Sequence, residues 1–430
     1  MNGWTDSKGL SSHFSLMFLG ALLLALAAAG AQTSPRTAQQ RIEHGYALAQ
    51  KGEMKAAEAE LRDVLKASPD DPLALAVLGM ILSRQPKLEE ANSYLERALK
   101  LDPSDSGTRY NLAVNLFRMG KLEAAKTNLD VILRQKPDHK PAATLLDAVK
   151  KEGGYHAALE EYRQGRFAKS QMLLEQLIAS GNRDPKVFTL LAWCHHRQNH
   201  SNEALAAMRQ AIELAPADAA VYSNATQILL EGGDLKAASA AVAKALELSP
   251  EHVPALKLKG TLDVQHGDLK QALATFQRAV ELDRSDPEAW QRLGTAQQMM
   301  FRYAEAAATF EKGIIRFPAY APMYQAYGKL LLDPGARPGA SAEARVTELL
   351  EKALALDPSL PEAHYELGKL LLDHDKTADA LRHLEAAEKL DPDNAPAHLA
   401  LARAYRILAR TGDQSRQLAL YRELEARKAR

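Results

Sequence analysis

The chain has 430 residues and carries no net charge, with 54 Lys and Arg against 54 Asp and Glu. Its composition, 46% hydrophobic and 25% charged, excludes a polytopic membrane protein and a wholly disordered chain. Nucleic-acid binding usually needs a basic excess, so the zero net charge argues against a nucleic-acid partner.

The first predicted element is an apolar run from Phe14 to Ala29, which the small residues Gly30 and Ala31 follow. The run has 16 residues, whereas a membrane span needs about 20. This pattern predicts a secretory signal peptide over residues 1–31, with cleavage before Gln32. The alternative is an uncleaved anchor that tethers the chain to a membrane through residues 14–31. We therefore expect an exported protein, periplasmic or secreted, or one anchored with its remainder outside the cytoplasm.

From residue 38 onward the sequence has a period of 34 residues. The prolines Pro69, Pro103 and Pro137 follow this spacing. Proline cannot continue a helix, so each of them ends one. Small residues recur at two further places, as expected where two helix backbones meet. One set is Gly45, Gly79, Ala113, Ala192, Gly260, Gly294, Gly328, Gly368 and Ala402, and the other is Ala57, Ala91, Ala125, Ala204, Ala238, Ala272, Ala306 and Ala380.

These positions resemble the tetratricopeptide repeat (TPR). The repeat that begins at Pro72 has Leu78-Gly79 at positions seven and eight, Ala91 at twenty and Pro103 at thirty-two. The resemblance implies an all-α fold, a right-handed α-α superhelical solenoid of stacked TPR helix pairs. It also implies a protein that binds other proteins and is not an enzyme.

The repeat register predicts about eleven repeats, which begin at residues 38, 72, 106, 151, 185, 219, 253, 287, 321, 361 and 395. Eleven residues are inserted before the fourth repeat and six within the ninth. We expect the first insertion to add a short helix or to bend the array, and the second to be a surface loop. The predicted domains are repeats one to three at 38–139, an inserted helical segment at 140–150, repeats four to ten at 151–394 with a loop near 333–340, and an atypical capping repeat at 395–430.

Catalytic signatures are missing from the sequence. It has no phosphate-binding loop, no His-Glu-x-x-His motif and no Gly-x-Ser-x-Gly elbow. The cluster Cys194, His195, His196 and His200 has residue types that bind metals, but His200 falls in a turn and no further ligand stands at a suitable spacing. We predict no enzymatic activity, no cofactor and no metal.

Candidate binding residues follow from the TPR resemblance, which implies that positions two, five, nine, twelve and thirteen of each first helix face a concave groove. Position thirteen is arginine in repeats two to five, and arginine binds carboxylates in bidentate fashion while aromatic side chains anchor peptides. The predicted peptide-binding groove is Tyr46, Met80, Arg84, Tyr110, Phe117, Arg118, Tyr155, Tyr162, Arg163, Trp193, His196 and Arg197.

A second interpretation of these residues stays open. An arginine near a helix C-terminus interacts favourably with the helix dipole, and the aromatic side chains can simply pack between repeats. In the C-terminal half the same positions hold polar residues such as Gln291, Lys257 and Lys329, which favour weak binding.

The sequence thus predicts a protein–protein interaction scaffold that binds a peptide or helix with apolar and acidic residues, in envelope assembly or in a secreted complex. The alternative is a structural adaptor that forms homo-oligomers through its convex face or its ends.

Overall fold

The computed structural model describes residues 37–336 and 342–428, so the predicted signal segment lies outside the described residues. Within these ranges all regular structure is helical. The helices are α1 (Ala38–Gln50), α2 (Met54–Ala67), α3 (Pro72–Ser83), α4 (Leu88–Leu101), α5 (Ser106–Arg118), α6 (Leu122–Gln135), α7 (Lys140–Arg163), α8 (Phe167–Ala179), α9 (Pro185–Arg197), α10 (Ser201–Leu214), α11 (Ala219–Glu231), α12 (Leu235–Leu248), α13 (Val253–Gln265), α14 (Leu269–Leu282), α15 (Pro287–Met299), α16 (Tyr303–Arg316), α17 (Ala321–Leu332), α18 (Ala342–Leu356), α19 (Pro361–Asp373), α20 (Thr377–Leu390), α21 (Ala395–Ile407) and α22 (Thr411–Lys428).

The chain divides into two compact bodies between Gln198 and Asn199. The N-terminal body contains α1–α9 and the C-terminal body contains α10–α22. In each body a helix packs against the next one along the chain, and successive odd-numbered helices also contact each other. The odd-numbered helices therefore form one layer of each body, and we call them the first helices.

Local sequence signals set the ends of the helices. Several first helices begin after an aspartate whose carboxylate accepts a backbone N–H, as Asp71 does from Ala74 at 2.9 Å and Asp286 from Glu288 at 2.9 Å. Such N-caps satisfy donors that the first helical turn leaves unpaired. Proline then stands in the first turn of α3 and α15, where its missing N–H costs nothing.

Small residues let the two helices of a pair approach closely. A Cβ atom on Gly79 would lie 2.7 Å from Leu95 Cγ and 3.1 Å from the Ala91 carbonyl oxygen. A Cβ atom on Gly294 would lie 2.6 Å from the Phe310 ring. Position eight of these repeats is therefore small because a large side chain from the second helix fills the space above it.

The inserted residues 140–150 form the first part of α7, which runs without interruption to Arg163. The insertion therefore lengthens a helix. Pro141 lies in the first turn, where proline is tolerated, and no helix-breaking residue follows it before Gly153. Gly154 continues the helix, and a Cβ there would lie 2.8 Å from Leu177 Cδ2 of α8. The boundary between the two bodies lies farther along the chain, after Gln198.

Most of the turns inside a helix pair use one residue with positive φ. Five of these turns have glycine, for example Gly120 at 71° and Gly267 at 82°. Phe301 takes the same place with φ 59° and its side chain is 77% exposed. A bulky side chain is strained in this backbone region, at a cost of about 1–3 kcal/mol.

Replacing Phe301 with glycine is expected to raise the free energy of unfolding of the C-terminal body by about 1 kcal/mol, since it relieves strain and removes little packing. Urea unfolding followed by circular dichroism measures this change. The control is Asp375→Gly, at the equivalent turn with φ 59°, where a smaller gain is expected because aspartate tolerates this conformation. A loss of stability in Phe301→Gly would contradict the assignment of strain.

Candidate functional site

The exposed face of the first helices is clearest on α21. Its exposed residues are those at positions two, five, nine, twelve and thirteen of the repeat, while most other positions are buried. The exposed set is Pro396, Leu399, Arg403, Arg406 and Ile407. These are the five positions expected to face a groove.

Position nine is buried on α1 and on α3. Tyr46 is 6% exposed and Met80 is 3% exposed, and both belong to one hydrophobic cluster with Leu78. The prediction that these two residues line an open groove is therefore wrong for this conformation. The reason is that both side chains pack into the hydrophobic cluster that α1, α2 and α3 share.

An accessible surface begins at α5. Tyr110 and Phe117 on α5, Tyr155 and Tyr162 on α7, and Trp193 on α9 are all half-buried. We call these five residues the aromatic strip. The two aromatic residues of α5 are seven apart, as are those of α7, so each pair lies on one face two turns apart. The helices α5, α7 and α9 contact each other in this order, and the strip therefore crosses three neighbouring helices.

Neighbouring side chains fix the orientation of the strip. The Lys186 ammonium lies 4.7 Å from the centre of the Tyr155 ring and is held by Glu152 at 2.7 Å. The Tyr162 ring centre lies 5.3 Å from that of Phe167. Burial raises the pKa values of Tyr110 and Tyr155, so both phenols stay neutral at physiological pH. The aromatic surface is thus ordered before any ligand binds.

Four exposed arginines lie at the C-terminal ends of the first helices of this region, namely Arg84 directly after α3 and Arg118, Arg163 and Arg197 as the last residues of α5, α7 and α9. The Arg118 guanidinium donates to the Ser83 carbonyl oxygen at 2.6 Å, which is helix-end chemistry as the second interpretation expects. Arg197 lies 5.7 Å from the Trp193 ring centre, and the Trp193 and His196 rings meet edge to face at 5.7 Å. Within the described ranges, Arg84, Arg118 and Arg163 form no ion pair with a carboxylate.

Three cations on first helices of the C-terminal body differ in this respect. Lys257 on α13 pairs with Glu288 on α15 at 2.5 Å and with Asp286 at 2.8 Å. Lys329 on α17 approaches Glu362 on α19 at 3.6 Å, and Arg403 on α21 pairs with Asp373 on α19 at 2.6 Å. These three cations are therefore neutralised by neighbouring carboxylates, whereas the exposed Lys369 on α19 and Arg406 on α21 form no ion pair among the described residues.

The sequence analysis did not identify two exposed apolar residues on α21, a first helix of the C-terminal body. Leu399 is 46% exposed and Ile407 is 50% exposed, on either side of Arg403 along α21. The repeat register could have identified them, because they occupy positions five and thirteen of the last repeat.

In the described residues, the cysteine and histidine side chains near the end of α9 are not arranged as a metal site. Cys194 is buried and its thiol donates to the Ser170 hydroxyl oxygen at 3.2 Å. Burial raises the pKa of this thiol, which disfavours the thiolate that metals bind. Across the part of the chain that the structure describes, no group of three or more His, Cys, Asp or Glu residues could hold a metal ion.

Sequence comparison identifies the repeats. Three family models, each described as tetratricopeptide repeat, match the chain. The first matches residues 84–149 and 229–296, the second matches residues 42–106, 155–219 and 197–253, and the third matches residues 361–404. Together these segments cover more than half of the chain. This is a tetratricopeptide-repeat protein. The count of eleven repeats stays a prediction, and so does export of the TPR protein.

Solved structures agree with the fold class. The TPR protein is similar to the Cut9–Hcn1 hetero-tetramer of the APC/C, with 12% identity, 90% of this chain and 87% of that chain covered, and a TM-score of 0.50. Yeast Tom70 has 17% identity with this chain, and the match covers 90% of this chain and 91% of Tom70 with a TM-score of 0.46. The TPR domain of P58(IPK) has 15% identity, and the match covers 87% of this chain and 99% of that domain with a TM-score of 0.32. At these identities the likeness concerns the fold alone. No curated protein sequence matches the chain.

The predicted all-α class of stacked TPR helix pairs is confirmed. In the described residues no helix has the length and apolar character required to span a lipid bilayer.

Proposed function

We propose that the TPR protein binds a segment of a partner protein across the aromatic strip of its N-terminal body. Proteins with this fold mediate protein–protein interactions, and Cut9 itself is assembled with Hcn1 in the similar structure. The partner segment is apolar where it contacts the strip and acidic where it meets the arginines. The protein acts as a scaffold and performs no chemistry of its own.

The observation that carries this proposal is that two arginines of the open face, Arg84 and Arg163, have no carboxylate partner among the described residues. In the C-terminal body Lys257, Lys329 and Arg403 are paired with carboxylates of neighbouring repeats, whereas Lys369 and Arg406 are not. A bound carboxylate would supply the charge-assisted, bidentate contact that the guanidinium groups of Arg84 and Arg163 lack.

The aromatic strip supplies the apolar part of the surface. Half-buried aromatic side chains are enriched among the residues that dominate binding energies, because they bury a large area when a ligand covers them. Contacts such as that of Lys186 with Tyr155 hold the rings in place. Binding therefore costs little side-chain entropy.

A random peptide array tests the proposal with the full-length protein. The wild type is expected to select peptides with acidic and apolar residues. A variant with Arg84, Arg118, Arg163 and Arg197 changed to alanine is expected to lose this selection while keeping its helical circular dichroism.

The matched control changes Lys257, Lys329 and Arg403 to alanine in the C-terminal body, and we expect it to select the same peptides as the wild type. If the four-arginine variant retains the wild-type peptide set, the arginines serve only the helix ends and the proposal fails.

Export is a separate part of the proposal. The apolar run Phe14–Ala29 and the small residues before Gln32 support a cleaved signal peptide that directs the chain to the periplasm or outside the cell. Mass spectrometry of the protein isolated from its own cells is expected to find Gln32 as the first residue. An intact, membrane-bound N-terminus would support the anchored alternative.

A further inference from the structure

One polar contact recurs at the joints between consecutive helix pairs. The side chain at position four of a repeat reaches the carbonyl oxygen of the residue six places earlier, in the turn that precedes its helix. This contact ties each first helix to the end of the previous pair. The contacts are Arg109 to Pro103 at 2.8 Å, Trp290 to Arg284 at 3.3 Å, Tyr324 to Pro318 at 3.2 Å, His364 to Pro358 at 3.1 Å and His398 to Pro392 at 2.8 Å.

In four repeats the side chain at position four contacts a residue 19 places later, on the second helix of its own pair. In three of these repeats, at Arg109, His364 and His398, it therefore links three elements, namely the preceding turn, the first helix and the second helix. The contacts are Arg41 with Glu60 at 2.9 Å, Arg109 with Asn128 at 3.3 Å, His364 with His383 at 3.0 Å and His398 with Gln417 at 2.6 Å. Only the pair His364–His383 joins two identical titratable groups.

The positions of the protons in this pair follow from its contacts. His364 Nε2 faces the Pro358 carbonyl oxygen and must carry a hydrogen to bond with it. A neutral His364 then has its lone pair on Nδ1, which accepts a hydrogen bond from Nδ1–H of His383. Both contacts are satisfied when both rings are neutral.

Acid disrupts this arrangement. A proton on His383 Nε2 leaves the bond between the rings intact but places a charge on a half-buried ring. A second proton, on His364 Nδ1, sets two N–H groups against each other across the same 3.0 Å. Burial lowers the pKa of His383, and the neighbouring His364 and Arg382 lower it further.

The other charged groups that act on His383 lie on its own helix. Asp379 favours the protonated ring and Arg382 opposes it, and these two side chains form an ion pair with each other. The helices α17, α18 and α21 also contact α19, and α21 contacts α20. Among the described residues, none of these three helices adds a charged group to those that act on His383.

We infer that His364 and His383 form an acid-sensitive latch, which ties α19 to α20 and to the turn before α19 at neutral pH and loosens as the pH falls below about 6.5. The sign follows from proton binding. The pKa of His383 lies below that of a free histidine, so the unfolded chain binds more protons in mild acid and the folded joint loses stability.

The corresponding contacts of the next repeat, which His398 makes, differ in how they respond to an added proton. The two ring nitrogens of His398 face two acceptors, the Pro392 carbonyl oxygen and Gln417 Oε1. Gln417 in turn donates to Glu388 at 2.9 Å. A protonated His398 can donate to both of its acceptors, so mild acid opens the α19–α20 joint and spares the following one.

The chain itself suggests the test variant. His383→Gln copies the His398–Gln417 contact into the preceding repeat and removes one titratable group. Amide hydrogen exchange of the full-length protein is measured at pH 7.5 and 5.5, with rates corrected for the intrinsic effect of pH. In the wild type, protection of α19 and α20 is expected to fall about tenfold at the lower pH. In His383→Gln it is expected to change less than about twofold.

Two further variants keep the result interpretable. His266→Gln removes an exposed histidine of the same body and is expected to behave like the wild type. His383→Glu copies the Arg41–Glu60 contact, so protonation of His364 strengthens the bond and the pH trend is expected to reverse. Equal loss of protection in the wild type, His383→Gln and His383→Glu, or no loss in the wild type, would overturn the inference.

Discussion

Replacing Phe310 with alanine is expected to lower the free energy of unfolding of the C-terminal body by about 3–5 kcal/mol. The Phe310 side chain is fully buried on α16, and its ring stacks on Tyr327 of α17 with centroids 6.0 Å apart. It also fills the space above Gly294 on α15. One residue therefore holds three helices, and its removal leaves a cavity that their backbones cannot close.

Urea unfolding followed by circular dichroism measures this loss, and hydrogen exchange in α15–α17 locates it. The control is Ile315→Ala on the same helix, where the side chain is 80% exposed and a change below about 0.5 kcal/mol is expected. Equal effects of the two substitutions would show that α16 is not packed as described. Adding Gly294→Ala to Phe310→Ala should recover part of the loss, because the new methyl group enters the cavity.

Alanine in place of Trp193 or Tyr155 is expected to weaken binding of an array-selected peptide by about 30-fold, which corresponds to about 2 kcal/mol. These rings are the ordered anchors of the aromatic strip on α9 and α7. Isothermal titration calorimetry with the full-length protein measures the affinity. The helical circular dichroism of each variant must match that of the wild type for the comparison to hold.

Trp290→Ala is the matched control for this experiment. Trp290 lies in the C-terminal body, where its indole N–H donates to the Arg284 carbonyl oxygen and its ring lies 6.5 Å from that of Phe317. Its loss is expected to reduce stability and to leave peptide affinity unchanged. Unchanged affinity in Trp193→Ala and Tyr155→Ala would exclude the strip as the binding surface.

The sequence predicts the helices well because the restraints on them are local or periodic. The start of α3 at Pro72, α9 at Pro185 and α15 at Pro287 follows the repeat register. The long α7 could not be predicted as one helix, since nothing in residues 140–150 forbids either a separate helix or a continuous one. Whether these residues form a separate helix depends on how α7 packs against α6 and α8. The spacing of the repeat positions in the sequence carries no information about that packing.

The candidate site was predicted less completely, for a reason of geometry. A repeat position shows which way a side chain points, but its exposure depends on how closely the neighbouring first helices approach. Tyr46 and Met80 point toward the expected face and are nevertheless covered. Arg118 was identified as exposed, but its contact with the Ser83 carbonyl lies between repeats and leaves no trace in the sequence.

The length of the insertion in α7 has a consequence for the surface that this helix presents. An α-helix has 3.6 residues per turn, so eleven residues add about 3.06 turns and advance the helix by about 16 Å with a net rotation of only about 20°. Residues on one side of the inserted segment Lys140–Lys150 therefore lie on the same side of the helix as the corresponding residues in the thirteen that follow, up to Arg163. The insertion acts as a spacer that changes distance and preserves angular phase, so Tyr155 and Tyr162 keep the orientation that an uninterrupted repeat would give them.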